Sequence, residues 1–196
     1  VARWETMRKA GRRWGWWGAA IGAVYGLVAN APAPWLAQLV YVGTGRALLL
    51  AESRGTIWHG DAVAVLTGGE GSRDARALPG RLNWTLGLGR HGLSVRLQQD
   101  CCMPVPVAVQ IQPGWGRVEA RVLRLNDAAD GEGQPSGPIG HWPAAWLRGL
   151  GTPWNTLELG GVLRLETQGL HLIRQGGQTR VEGQASITLD NASSRL

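Results

Sequence analysis

Residues 81–97 read RLNWTLGLGRHGLSVRL, and this stretch decides the fold class. Leu82, Trp84, Leu86 and Leu88 alternate with polar or small residues, and Leu93, Val95 and Leu97 do the same after a gap. Successive side chains of a strand point to opposite faces, so an alternation of period two marks a half-buried strand. Between the two runs Gly87, Gly89 and Gly92 spell G-x-G-x-x-G. A dinucleotide site would need a helix N-terminus just after that turn, to hold the pyrophosphate, and no helical pattern follows. The glycines read instead as the turn of a β-hairpin.

The same period recurs outward along the chain, in residues 47–50, 55–66, 105–112, 116–125, 156–167, 170–174 and 179–189. Gly-rich connections such as RQGGQ separate the runs. Regular short strands with glycine turns predict an all-β, predominantly antiparallel domain. One short helix is expected over residues 140–150, where Pro143 suits a first turn and Trp142, Trp146, Leu147 and Leu150 recur at helical spacing. Residues 127–138, DAADGEGQPSGP, have loop composition. They divide the strands into residues 40–126 and 140–196, and residues 79–97 loosely echo residues 159–173, so two related halves are one reading of the body.

Ahead of the strands, residues 14–29 (WGWWGAAIGAVYGLVA) carry no charge, and Pro32 and Pro34 stop the run. Trp14, Trp16 and Trp17 flank one end and Trp35 the other. Trp14 and Trp35 are 21 positions apart, about 31 Å along a helix, close to the thickness of a hydrocarbon core with interfacial tryptophans. Arg3, Arg8, Lys9, Arg12 and Arg13 precede the run against a single acid, Glu5, which sets the N-terminus in the cytoplasm. The expected organisation is a basic cytoplasmic tail (1–13), a single transmembrane helix (14–31) and a periplasmic β domain (32–196) of a bacterial inner-membrane protein. A cleaved signal peptide competes, with Ala29-Asn30-Ala31 as its cleavage signal, but Pro32 would then follow the cut. Both readings put the body outside the cytoplasm. Gly18, Gly22 and Gly26 form GxxxGxxxG. Self-association through this helix face is one reading, and the general frequency of glycine in membrane helices is the other.

Charge distribution excludes a nucleic-acid partner. Most of the net charge of +6 lies in the first thirteen residues, and the rest of the 196-residue chain is close to neutral. That is a topology signal and a poor footprint for a phosphate backbone. With 44% hydrophobic residues the chain is too apolar to be disordered. Cys101 and Cys102 are adjacent, which fits neither a redox C-x-x-C nor a zinc knuckle. In an oxidising compartment they read as a vicinal disulfide, favoured by the turn character of Met103-Pro104, or as two buried thiols. His59-x-Asp61 has no further local ligand, so no metal is expected. The acids form no dyad, and no G-x-S-x-G, P-loop or HExxH occurs, so no catalytic residue and no cofactor are expected.

Three stretches together carry a resemblance: APAPWLAQLV (31–40), GRALLLAESRGTIWHGDAVAVL (45–66) and ALPGRLNWTL (77–86). Their content and order resemble the type II secretion system protein N family, through Pro32, Ala33, Gly55, Thr56, Trp58, Gly60, Leu78, Pro79, Gly80, Leu82 and Trp84. Downstream only the β pattern is shared. The resemblance implies a non-enzymatic inner-membrane component of the machinery that exports folded proteins from the periplasm across the outer membrane. Its partners would be other subunits of that system, in the inner-membrane platform or the secretin. It also implies a further segment beyond Leu196 to close the last strand group. On physical grounds Trp58 and Trp84 read as apolar anchors on strands, with Gly55, Gly60 and Gly80 at turns or bulges, and thus as fold determinants. A partner strand is expected to add beside residues 56–66 and 81–88, with the 127–138 loop or the 142–150 helix as the alternative contact. An anchored periplasmic β-groove protein that handles envelope lipids is the competing function.

Overall fold

The structure, a computed structural model, describes residues 2–69, 71–89, 92–125 and 133–194. Helix α1 (Ala2–Ala29) leads to helix α2 (Ala33–Gly43). The strands follow as β1 (Leu48–Gly55), β2 (His59–Thr67), β3 (Ala75–Ala77), β4 (Leu82–Gly89), β5 (Gly92–Gln99), β6 (Val107–Gly114), β7 (Arg117–Arg124), β8 (Ser136–Pro143), β9 (Gly160–Gln175) and β10 (Gln178–Ser193). A 3-10 helix (Ala144–Leu150) separates β8 from β9.

All pairings are antiparallel and belong to one sheet, in the order β1-β2-β4-β5-β6-β7-β9-β10, with β3 beside β2 and β8 beside β9. The hairpin of residues 81–97 forms as β4 and β5, paired from Leu82↔Gln99 to Gly89↔Gly92. Its two connecting residues, 90 and 91, lie outside the described residues. Register divides the sheet into two unlike faces. One row runs Leu88–Leu93–Ile111–Ala120–Leu172–Val181 across six strands. The adjacent row, on the opposite face, runs Gly87–Ser94–Gln110–Arg121–His171–Glu182. Period two in the sequence thus becomes an apolar face and a polar face.

Several expectations need correction. Residues 40–126 and 140–196 are not separate halves, because β7 pairs with β9 from Arg117↔Gln175 to Arg121↔His171 within the one sheet. The echo between residues 79–97 and 159–173 does not extend to structure: the first stretch turns back as a hairpin, and the second belongs to the continuous strand β9. What reads as two strands, 156–167 and 170–174, is joined through a bulge. There Gly169 (φ 64°) lies against Gly183 (φ 91°) of β10, where no Cβ would fit. The expected helix over 140–150 begins only at Ala144, because residues 136–143 pair with β9 as a strand. Of the expected 127–138 loop, residues 127–132 lie outside the described residues, and Ser136 already opens β8.

The N-terminal region differs too. The expected tail is helical from Ala2, and α1 continues without a break to Ala29. The expected span 14–31 therefore ends early, and Trp35 stands on a separate helix. No helix among the described residues is long and apolar enough to cross a membrane. The 28 residues of α1 reach about 42 Å, but its first half is basic and Gly15, Gly18, Gly22 and Gly26 add no apolar side chain. Helix α2 falls within residues 32–196, where the sequence predicts β structure. Pro32 caps it and Pro34 occupies its first turn, where no amide donor is needed. Ala33, Leu36, Ala37 and Val40 then fall on one side and pack on the sheet. The core under α2 contains Leu50, Ala62, Ala64, Leu78 and Trp84, bordered by Leu82, Leu86, Leu97, Trp142 and Trp146.

Candidate functional site

The β1–β2 turn is where helix and sheet meet. The amide of Thr56 donates to the carbonyl of His59 at 2.9 Å, and the Thr56 hydroxyl lies 3.3 Å from both the amide and the carbonyl of His59. Gly55 enters this turn at φ 87°, a conformation that side chains rarely adopt. Pro32 forms an antiparallel bridge with Thr56, and Ile57 donates its amide to Ala31 at 2.9 Å. The Trp58 indole donates to the carbonyl of Val28 at 2.8 Å, which satisfies one of the orphan acceptors in the last turn of α1. Trp58 therefore sits in the β1–β2 connection, not on a strand as expected, and serves as a C-terminal clamp on the helix.

Trp84 holds the other side of the joint. It is 3% exposed, and its indole donates to the carbonyl of Thr56 at 3.2 Å. Its ring covers Gly60, its cross-strand partner. Pro32, Ala33, Gly55, Thr56, Trp58, Gly60 and Trp84 are thus drawn together from three stretches of sequence. Leu78, Pro79, Gly80 and Leu82 form the approach to β4. Leu78 is buried and its amide donates to Ala64 at 2.7 Å, while Gly80 turns at φ 77°.

Sequence reasoning missed the residue that ties this approach to the rest of the sheet. Gln99 is 1% exposed; its amide group donates to the Pro79 carbonyl at 2.7 Å and accepts from the Trp142 indole at 2.9 Å. A glutamine at a strand end gives no sequence signal of burial. Cys101 and Cys102 are disulfide-bonded to each other in the turn after β5. Cys102 accepts from the amide of His141 at 2.8 Å, so the turn also carries β8. Gly18, Gly22 and Gly26 lie apart from the joint, with open space where each Cβ would stand.

Two charged clusters flank these elements. Arg81 binds Asp61, the carboxylate of Glu52 (3.2 Å) and the Glu52 carbonyl (2.6 Å). The hydrogen bond with Asp61 is the largest influence on the Arg81 guanidinium and helps hold its pKa above the ordinary value. On the polar face Glu119 meets Arg117 (2.8 Å), His171 (3.1 Å) and Arg121 (3.4 Å). Burial pushes the Glu119 carboxyl up, but Arg117, the His171 hydrogen bond and Arg121 together bring it below the usual carboxylate value. Asp61, the candidate ligand beside His59, is engaged by Arg81. Among the described residues no group of three or more His, Cys, Asp or Glu is placed to hold a metal ion. Arg81 links β1 and β2 ahead of β4, whereas Glu119 pairs with Arg117 and Arg121 along its own strand β7 and with His171 across to β9.

Much of the stretch expected to accept a partner is already paired: β2 has β1 on one side and β3 and β4 on the other, and β4 pairs with β5 from Leu82 to Gly89 but with β2 only over residues 82–85. The sheet path ends at β1 and at β10, a sixteen-residue strand that among the described residues pairs with β9 alone. Comparison with protein-family models, curated proteins and solved structures finds no match to this chain.

Proposed function

We propose that this chain is a non-enzymatic subunit of a bacterial type II secretion system, anchored in the inner membrane through α1 with its β domain in the periplasm. The observation that carries this reading is the joint itself. The residues that resemble the protein N family come from separate stretches, yet they meet where Trp58 clamps Val28 and Trp84 covers Gly60. Such a joint fixes the orientation of a sheet against the helix that would anchor it. The exposed residues Trp16, Trp17, Ile21, Val24, Tyr25, Leu27 and Val28 around α1 support the anchor, since apolar side chains on an isolated helix need a covering medium. The partner contact is best sought at β10, whose outer edge has backbone groups available for an added strand.

The test combines gene deletion with in-cell photocrosslinking from Thr179, Ala185 and Thr188 on β10. The expected result is exoprotein retained in the periplasm and crosslinks to other secretion subunits. A second reading, handling of envelope lipids, is favoured by the apolar row. Its ends remain exposed, Leu88 at 76% and Val181 at 58%. Crosslinks to phospholipid alone, with export intact and altered outer-membrane lipid content, would replace the secretion reading with this one.

A further inference from the structure

Helix α2 is apolar on two sides. The side formed by Ala33, Leu36, Ala37 and Val40 is packed on the sheet. The opposite side carries Trp35, Leu39 and Val42, at the i, i+4, i+7 spacing of a single helix face, and these are 60%, 71% and 63% exposed. The helix, APWLAQLVYVG, contains no charged residue. A helix apolar all round is stable only where both sides are covered. The sheet covers one.

Position identifies the second cover. Only residues 30–32 separate α1 from α2, so at ~3.6 Å per residue the start of α2 lies within about 14 Å of the last residue of α1. The bonds Ile57–Ala31 and Trp58–Val28 bind the same corner, so α2 and the sheet cannot swing away from the end of α1 as a free linker would allow. On the proposed anchor reading, on which this inference rests, α1 emerges from the bilayer beside α2. The outer side of α2 then lies at the level of the lipid headgroups, where tryptophan is favoured. Leu27 and Val28, 63% and 48% exposed, bring the apolar surface of α1 up to the same corner.

We infer that α2 is an interfacial helix, seated on the phospholipid bilayer through Trp35, Leu39 and Val42, with the β domain standing on its other side. In this arrangement α2 lies between membrane and sheet, and fixes the height and tilt of the domain above the bilayer.

The test uses the full chain, with its disulfide intact, in phosphatidylethanolamine–phosphatidylglycerol vesicles. Single cysteines Ile21→Cys, Leu39→Cys and Thr179→Cys carry an environment-sensitive dye, and lipids bearing a shallow nitroxide act as quenchers. All three positions are exposed, so the substitutions remove little packing. The expected result is a blue-shifted dye at Leu39, quenched at least fivefold more than the dye at Thr179. If Ile21 is quenched and Leu39 behaves like Thr179, the anchor stands and the interfacial helix is overturned. If Ile21 and Leu39 both behave like Thr179, the anchor reading fails and this inference falls with it.

Discussion

The Trp84 indole fills the space beside Gly60 on the neighbouring strand, with its Cζ2 atom 2.6 Å from the point that a β-carbon at residue 60 would occupy. Glycine is therefore required at 60 for steric reasons, although no turn is made there. The Arg54 carbonyl closes the other side of the same space. Gly60→Ala is expected to cost about 1–3 kcal/mol through overpacking, and Trp84→Ala about 3–5 kcal/mol through the cavity it leaves. Chemical denaturation of the two variants checks both figures. A neutral Gly60→Ala would mean that the indole does not hold this position.

Gln99 bridges Pro79 and Trp142 with both ends of its side-chain amide. Gln99→Leu keeps much of the volume but removes the partner of the exposed Pro79 carbonyl and of the half-buried Trp142 indole N–H. A loss of about 1–2 kcal/mol is expected, since each hydrogen bond contributes about 0.5–1.5 kcal/mol. The Trp142→Phe variant removes one of those partners and should soften the effect of Gln99→Leu in a double-mutant cycle.

Stability should respond to acid through Glu119. Its pKa in the folded chain is lowered, so its contribution is complete above the unfolded carboxylate value and is lost as pH falls through the folded one. Thermal unfolding of wild type and Glu119→Gln should therefore differ at neutral pH, with wild type the more stable. The two curves should converge in acid, below the ordinary glutamate value of 4.5. A gap that persists unchanged to pH 2 would mean that the carboxylate charge is not its source.

Cys101 and Cys102 are bonded to each other, and no free cysteine occurs among the described residues. Alkylation of the unreduced, denatured chain should add no mass at either position, and prior reduction should add two alkyl groups. Full labelling without reduction would show two thiols.

Anchoring predicts an N-in, C-out arrangement. Alkaline phosphatase fused after Leu196 should be active, and the chain should retain residues 14–29. A mature protein beginning at Pro32 by mass spectrometry would replace the anchor with a cleaved signal.

Local pattern was enough for the β4–β5 hairpin. Period two in residues 81–97 places Leu82, Trp84 and Leu86 on one face wherever the strand is set, because strand geometry sends neighbouring side chains to opposite sides. The importance of Gly60 and Trp84 was legible as motif, though their contact across β2 and β4 was not. What only the tertiary structure decided are features with no local signature. Residues 33–43 hold both a strand-like Val-Tyr-Val and a helical spacing, and the choice went to helix because Ala33, Leu36, Ala37 and Val40 fit the sheet as one side. Residues 136–143 became a strand because β9 has an edge there for them to pair with. Gln99 became a buried link because Pro79 and Trp142, 20 and 43 positions away, converge on it. The edges of the sheet, and with them the place for a partner, follow from strand order, which depends on pairing between distant segments and leaves no trace in local periodicity.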